Sequence, residues 1–379
     1  MHSQATLNRL QLLSNRAEEE QNKGNFSIAR RFANEMFSID PNNVAAYLNY
    51  VNAGRMSADD PITQRLLAIG SGEALAQPAR AMVLFLQGKT LDDIGDYDNA
   101  FRKFIEANRV FGATADLKSW KKRVLAITRK PPARRTPLPA IPPRMVFVLG
   151  MPRSGTSLTA QMLSAHSQIE SVGEQTGLNL SVNAPRGIPN PDTVRAFAKA
   201  DLDAMRQNYL KSLPPDNLAA GKAGKILIDK MPGNYWSAFA IPILFPDALI
   251  IHTERDRLAT CWSCFRNQFA RGHDYAYNFD NILAQYALKT RMCETWKTYT
   301  APGQWIDLQF ESFVQDPKAF LQPVLTRLGL DWEDACLSPA SAATSFNTLS
   351  RWQIRQDVSP EIADAWRVYE PMIRRQWKV

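Results

Sequence analysis

The chain is poor in the residues on which metal and disulfide chemistry rests. Its 379 residues include 4 cysteines and 4 histidines. No second Cys-x-x-Cys answers Cys261 and Cys264; Cys293 and Cys336 stand alone, and no histidine lies at ligand spacing. A structural zinc site needs four such ligands, so no metal is expected, and the thiols read as buried apolar groups. A membrane-length apolar run is also missing. The most apolar stretch, 238–251, is broken by Pro242, Pro246 and Asp247, whereas a spanning helix needs about 20 apolar residues. The opening Met1-His2-Ser3-Gln4 has no basic segment leading into an apolar one, so no secretion signal is read there. These absences point to a cytoplasmic, reducing location and no membrane partner.

What is present is ordinary for a globular protein: 45% hydrophobic and 22% charged residues. The length suits two domains, or one large domain with an appendage. A net charge of +8 favours anionic partners. The densest basic stretch runs from Lys121, Lys122 and Arg123 through Arg129 and Lys130 to Arg134 and Arg135. It enters a proline-rich segment without interleaved aromatics, so no nucleic-acid platform is expected.

Residues 1–127 read as helical. Two stretches are alike: Gly24-Asn25-Phe26 followed by Ala29, Ala33 and Met36, and Gly95-Asp96-Tyr97 followed by Ala100, Phe104 and Ala107. Their glycines lie 71 residues apart, about two tetratricopeptide periods of roughly 34. In such hairpins the glycine turns the chain and the alanines let helices approach. Residues 128–144 carry Pro131, Pro132, Pro137, Pro139, Pro142 and Pro143 and read as a semi-rigid linker. From 145 to 379 apolar runs alternate with helical patterns. Strands are expected at 145–149, 225–228, 248–252 and 305–309, and helices at 156–165, 192–213, 258–270, 281–299 and 317–328. That alternation means an α/β fold with a mostly parallel sheet flanked by helices.

The motif that carries chemistry is Gly150-Met151-Pro152-Arg153-Ser154-Gly155-Thr156-Ser157. It follows a strand and opens a helix, where loop N–H groups and the helix terminus make an anion site. The spacing is that of Gly-x-x-x-x-Gly-Lys-[Ser/Thr], with Thr156 in place of the lysine that serves the β and γ phosphates. A nucleotide triphosphatase or kinase is therefore disfavoured. Arg153 offers charge and a bidentate fork instead.

This loop, followed by Leu158, Leu163 and His166, resembles the 5′-phosphosulfate loop of sulfotransferases that use 3′-phosphoadenosine 5′-phosphosulfate (PAPS). The resemblance is to bacterial members with N-terminal tetratricopeptide repeats and, more distantly, to tyrosylprotein sulfotransferases. It continues through Asp229-Lys230-Met231-Pro232-Gly233-Asn234-Tyr235, the segment from Phe245 to Arg255 and Asp256 with Ser263, Gln309-Phe310-Glu311, and the C-terminal Gln353, Arg355, Trp366, Arg367, Tyr369 and Glu370. It implies a PAPS donor, no metal, and transfer of a sulfuryl group to a hydroxyl of a protein or peptide, a saccharide or a small metabolite, with a protein tyrosine among the candidates. It assigns donor binding to Arg153, Ser154, Gly155, Thr156, Ser157, Arg255, Ser263, Arg355 and Trp366. Arg255 and Ser263 would share the 3′-phosphate, and Lys230 would stabilise the leaving oxygen. The helical region would dock a peptide, form a homodimer or simply stabilise the enzyme.

Four departures bear on activity. Gln175 falls where tyrosylprotein sulfotransferases have their base, and Gly177 where they have an arginine, which leaves Glu174 as the candidate base and His166 as its rival. The segment before Trp366 lacks the serine and arginine of the relatives and has Asp364. Arg257 replaces a proline, and Phe310 a tyrosine. The alternative reading is therefore a repeat-based interaction protein with a degenerate transferase domain.

Overall fold

The computed structural model describes residues 3–70, 75–112, 114–182, 189–269, 272–338 and 359–379. The N-terminal 120 residues or so are helical, as expected. Helix α1 (Gln4–Lys23) turns into α2 (Phe26–Ile39), α3 (Val44–Asn52) and α4 (Pro61–Ala68) follow, and α5 (Gln77–Asp93) turns into α6 (Tyr97–Phe111). Gly24 and Gly95 both sit at φ 87°, in the left-handed region that glycine enters without a Cβ penalty. The next residue then bonds five back: Asn25 N–H to Glu20 O at 2.8 Å, Asp96 N–H to Leu91 O at 2.9 Å. The two self-similar stretches thus make one and the same helix-ending turn.

The hairpins bury different faces. Leu13, Met36, Tyr47 and Leu66 hold α1–α4 together. Val83 and Leu86 of α5 join that cluster, but the other partners of α5 and α6 lie far along the sequence. Phe85, Phe101 and Phe104 pack into one cluster with Trp262, Phe265, Phe279, Tyr369 and Ile373. Phe101 stacks on Trp262 with ring centroids 5.2 Å apart, and Tyr369 lies 4.7 Å from the same indole. A seventh helix, α7 (Leu117–Arg129), buries Val124 and Ile127 in the core of the α/β body.

The proline-rich stretch after α7 lies along that body. Leu138 N–H donates to Ile243 O at 2.9 Å, and Arg135 donates to Phe197 O at 3.0 Å and Ala200 O at 2.7 Å. Proline cannot use its own nitrogen in this way, so the interspersed residues supply the anchoring donors.

Next come β1 (Met145–Gly150), α8 (Thr156–Ser164), β2 (Ile169–Gly173), and the helices α9 (Gly177–Ser181), α10 (Pro191–Ala196), α11 (Leu202–Lys211) and α12 (Pro215–Lys222). They are followed by β3 (Ile226–Asp229), α13 (Ile241–Leu244), β4 (Leu249–Glu254), α14 (Arg257–Phe265), α15 (Phe279–Lys297), β5 (Trp305–Gln309), α16 (Phe310–Gln315) and α17 (Pro317–Leu328). Near the C-terminus stand α18 (Glu361–Asp364) and α19 (Glu370–Trp377). The five strands pair in the order β2-β3-β1-β4-β5, every pair parallel. Alternate side chains of β1 enter opposite cores: Met145, Phe147 and Leu149 face α11, α13 and α15, while Val146 and Val148 face α8 and α17. Burial on both faces is why this strand reads as an unbroken apolar run.

Two expectations are corrected. Strand β2 is absent from the sequence reading because it is a half-buried edge strand, with only Ile169 and Val172 fully buried. The helix expected over 192–213 is interrupted: Asp201 accepts from Ala204 N–H at 3.0 Å and starts α11 anew. An N-cap of this kind redirects the chain where periodicity alone suggests continuation.

Candidate active site

All strands run the same way, so their carboxyl ends share one edge, where open α/β sheets place ligands. Four segments leave that edge: the loop 151–155 after β1, Glu174 after β2, Lys230 after β3 and Arg255 after β4. Register fixes their relative level, with Asp229 beside both Phe147 and Gly173, and Thr253 beside Gly150.

The loop is built by exclusion. Gly155 sits at φ 103°, and a Cβ there would lie 2.5 Å from the Phe310 ring. Only glycine allows the loop to lie this close to Phe310. Ser154 turns inward, its hydroxyl 2.7 Å from both Met151 O and Thr253 Oγ1. Its side chain therefore shapes the loop. Thr156 and Ser157 open α8, whose first N–H groups have no partner within the helix. Arg153 takes φ 71°, a left-handed value rare for a non-glycine residue and typical of functional loops.

From that position Arg153 Nε donates to Ser263 Oγ at 3.0 Å. Arg255 donates to Arg153 O at 3.5 Å and to Ile362 O at 3.1 Å, and its guanidinium covers the Phe310 ring at 4.7 Å. The phenylalanine that replaces the relatives' tyrosine thus forms the floor under Arg255. Burial pulls both Arg153 and Arg255 down to about 10, and repulsion from Arg266 adds to the shift in each. Arg255 Nε is buried and has no hydrogen-bond partner among the described residues. Arg153 and Arg255 thus lie together with Arg266 near enough to repel both, an arrangement that a polyanion would relieve.

Arg266 is the member of this group that the sequence reading missed. It stands three residues after Ser263, hence on the same helix face, and that spacing was the available signal. Its anchor was not legible: Arg266 pairs with Asp92 at 2.9 Å, and Asp92 also accepts from Tyr369 OH at 2.6 Å. One carboxylate of α5 thus links α14 to the C-terminal segment. Behind this polar face, Trp262 and Phe265 lock α14 against α5 and α6.

Glu174 and Lys230 meet directly as an ion pair. The lysine side chain is 2% exposed and the glutamate 40%, so the pair has a buried cationic end and a wet anionic end. Gln175 turns its side-chain amide back onto Val172 O. Asp229 is fully buried and accepts from Tyr209 OH at 2.9 Å and Asn234 Nδ2 at 3.2 Å. Gly177 packs against α11, where a Cβ would lie 2.1 Å from Ser212 Oγ.

The other expected site residues lie elsewhere. His166 follows the far end of α8, about 15 Å along the helix from the loop. Gln168 N–H donates to its Nδ1 at 3.1 Å, which leaves Nε2 to donate to Asp331 O at 3.0 Å. With both ring nitrogens engaged at the opposite edge of the sheet, His166 is not brought to Lys230. We expect His166→Ala to lower stability by about 1–2 kcal/mol in chemical denaturation, with transfer changed less than about threefold. Trp366 is buried in the aromatic cluster beside Tyr369. Asp364 pairs with Arg367 at 2.5 Å, both side chains exposed. Arg257 is exposed at the start of α14, and Arg355 lies outside the described residues. Among the described residues no cluster of histidine, cysteine and carboxylates is placed to hold a metal, and no helix is long and apolar enough to cross a membrane.

A parallel sheet with a glycine-bearing loop after its central strand and cationic side chains at the ends of the neighbouring strands defines an α/β protein with its candidate site at the carboxyl edge. The Sulfotransferase family model matches residues 143–334, and the chain belongs to that family. It is 26% identical over 369 residues to an uncharacterized protein of Aquifex aeolicus (strain VF5), covering 92% of this chain and 47% of the relative. It is 22% identical over 237 residues to protein-tyrosine sulfotransferase 2 of Gallus gallus, covering 59% of this chain and 62% of the relative. The chain thus spans about half to three fifths of the curated relatives it matches. Among solved structures, the sulfotransferase domain of the Synechococcus PCC 7002 olefin synthase aligns with a TM-score of 0.40 and 20% identity, over 62% of this chain and 91% of that one.

Proposed function

We propose that this protein transfers a sulfuryl group from PAPS to an acceptor hydroxyl. The observation that carries the reading is the convergence of Arg153, Arg255 and Arg266 beside a phosphate-type loop. The buried Nε of Arg255, which has no hydrogen-bond partner among the described residues, fits a phosphate oxygen. Arg255, with Ser263 on the neighbouring helix, is assigned the 3′-phosphate, and the loop with the first turn of α8 the 5′-phosphate.

The donor supplies a sulfuryl group joined to that 5′-phosphate through one oxygen. Lys230, held in a nearly dry position, stabilises the charge that collects on this oxygen as its bond to sulfur breaks. Glu174, at the wet end of the ion pair, takes the acceptor's proton as the new sulfur–oxygen bond forms. The exposure gradient along the pair supports a donor on the buried side and an acceptor on the solvent side. A protein tyrosine is the acceptor we propose first, since two relatives are protein-tyrosine sulfotransferases. The exposed Asp364–Arg367 pair supports a donor site undisturbed by the added carboxylate. The burial of α5 and α6 against α14 supports a stabilising role for the helical region.

Adenosine 3′,5′-bisphosphate, the product that remains after transfer, tests this directly. At a hundredfold excess over Kd it should stabilise the native state by about 2.7 kcal/mol, read as a melting shift on the order of 5 °C. ATP with magnesium should give less. Stabilisation by ATP–magnesium alone would overturn the reading. Labelled PAPS offered to lysate separated into protein, glycan and small-molecule fractions would then identify the acceptor; label confined to the last two would reject the tyrosine.

A further inference from the structure

Asp229 ends β3 one residue before Lys230, and no role has been given to it so far. Its side chain is fully buried among groups from three other segments. Tyr209 of α11 donates to Oδ2 at 2.9 Å, Asn234 donates to the same oxygen at 3.2 Å, and the backbone N–H of Gln175 donates to Oδ1 at 3.4 Å. The network extends further. Asn179 Nδ2 donates to Asn234 Oδ1 at 3.2 Å, and Ser237 OH donates to Asn179 Oδ1 at 2.6 Å. Three of these donors end on the Asp229 carboxylate, and the other two brace Asn234 from behind. The nearby cation, Lys230, is turned toward Glu174 instead.

The Gln175 amide matters because it belongs to the turn that follows β2. The pairing of β2 with β3 slips between Ser171 and Gly173, and such a bulge re-aims the residues that follow it. Lys230 N–H fastens the near side of the turn by donating to Gly173 O at 2.9 Å. Asp229 fastens the far side through Gln175. Glu174 stands between these two anchors. We propose that Asp229 is a positioning residue for sulfuryl transfer, whose carboxylate holds the Gly173–Gln175 turn so that Glu174 meets Lys230. This inference rests on the roles given above to Glu174 and Lys230.

The three donors aimed at two carboxylate oxygens favour the ionised form, which accepts at every lone pair. A proton on Asp229 would oppose one of them, so either Gln175 N–H loses its acceptor or Tyr209 must rotate. Burial raises the Asp229 pKa to about 7, against the pull of its three hydrogen bonds. The ionisable groups around it are Tyr209 on α11, Lys230 beside it and Glu174 beyond the Gln175 amide; the charge of Glu174 in turn reaches His273. The sign follows from a native pKa above the unfolded value. This group favours folding while protonated, and that contribution is lost as pH rises through about 7. Positioning runs the other way and is complete only above that pH. The form that works is the form the fold tolerates less well.

The test measures kcat, donor KM and bisphosphate Kd against pH for the full chain and for Asp229→Asn, with melting temperatures to verify folding. For the native chain kcat should fall about tenfold per pH unit below about pH 7. Asp229→Asn should lose that limb and lower kcat at pH 8 by about 30-fold, with bisphosphate Kd within about threefold. Tyr209→Phe keeps the carboxylate but removes a bond that favours its ionisation, so it should move the limb to higher pH, and it serves if the asparagine variant does not fold. A native chain that binds bisphosphate and transfers sulfate, with Asp229→Asn unchanged in rate and profile or Tyr209→Phe leaving the limb in place, overturns the inference alone. A native chain that binds no bisphosphate overturns the donor reading with it.

Discussion

Lys230→Ala is expected to lower the rate of sulfuryl transfer by about 10³-fold, while donor affinity changes by less than about fivefold. The split follows from where the side chain sits. Its side chain is buried, follows a strand and contacts Glu174, whereas the cations proposed to hold the phosphates follow β4 and α14 or lie in the loop after β1. A group that meets the donor only where charge develops acts on kcat more than on binding. Removing one such donor from a preorganised site commonly costs about 10²–10³ in rate, and Glu174 would also lose the partner that orients it. The fold should survive. Loss of one member of a buried pair is severe when the other stays buried and charged, but the Glu174 side chain is 40% exposed and can rehydrate. Lys230→Met, of similar volume, separates charge from packing and should be as inactive as alanine. Labelled sulfate transfer and calorimetry with bisphosphate make the measurement; transfer within tenfold of the native chain would remove Lys230 from the mechanism.

Arg255→Ala is expected to weaken adenosine 3′,5′-bisphosphate binding by about 100-fold, from the loss of roughly 2–3 kcal/mol of charge-assisted hydrogen bonding. The same variant should bind adenosine 5′-monophosphate nearly as well as the native chain, because the 5′ side is assigned to the loop. The discriminating quantity is therefore the preference for the bisphosphate, which should collapse toward unity. Arg255→Lys should not restore it. The guanidinium lies over Phe310 while its NH2 group reaches Ile362 O at 3.1 Å, a planar fork that an ammonium cannot reproduce. Equal losses for both ligands would mean that Arg255 holds the C-terminal segment and not the 3′-phosphate.

The parts of the site that were legible are those encoded locally. Strand, loop and helix follow one another within residues 145–164, so an apolar run, two glycines and a helix start were enough. Lys230 could be placed because it follows an apolar strand at a sheet's carboxyl edge, whereas Arg255 was read as a site residue through the resemblance. The parts that were not legible depend on partners far apart in sequence. Asp92 and Arg266 are 174 residues apart, and Asp92 and Tyr369 are 277 apart. Asp229 gathers Tyr209, Asn234 and Gln175 only once β2 has joined the sheet, and β2 itself has too few buried positions to announce a strand. His166 shows the converse. Its motif position suggested chemistry, yet the nine-residue α8 carries it to the wrong edge.

The aromatic cluster around Trp262 has a consequence for how this protein changes over evolutionary time. One face of α14 turns Ser263 and Arg266 toward Arg153 of the loop after β1, and its other face is packed by Phe101, Phe104 and Tyr369. A helical region borrowed from another protein would have to arrive with rings that fit the same indole. Recombination at the proline-rich stretch, where the two halves look separable, would therefore yield a working chain only if α14 and the C-terminal helix travelled with the N-terminal helices. The unit of inheritance is discontinuous in sequence, and the helical region and the α/β body are expected to diverge together.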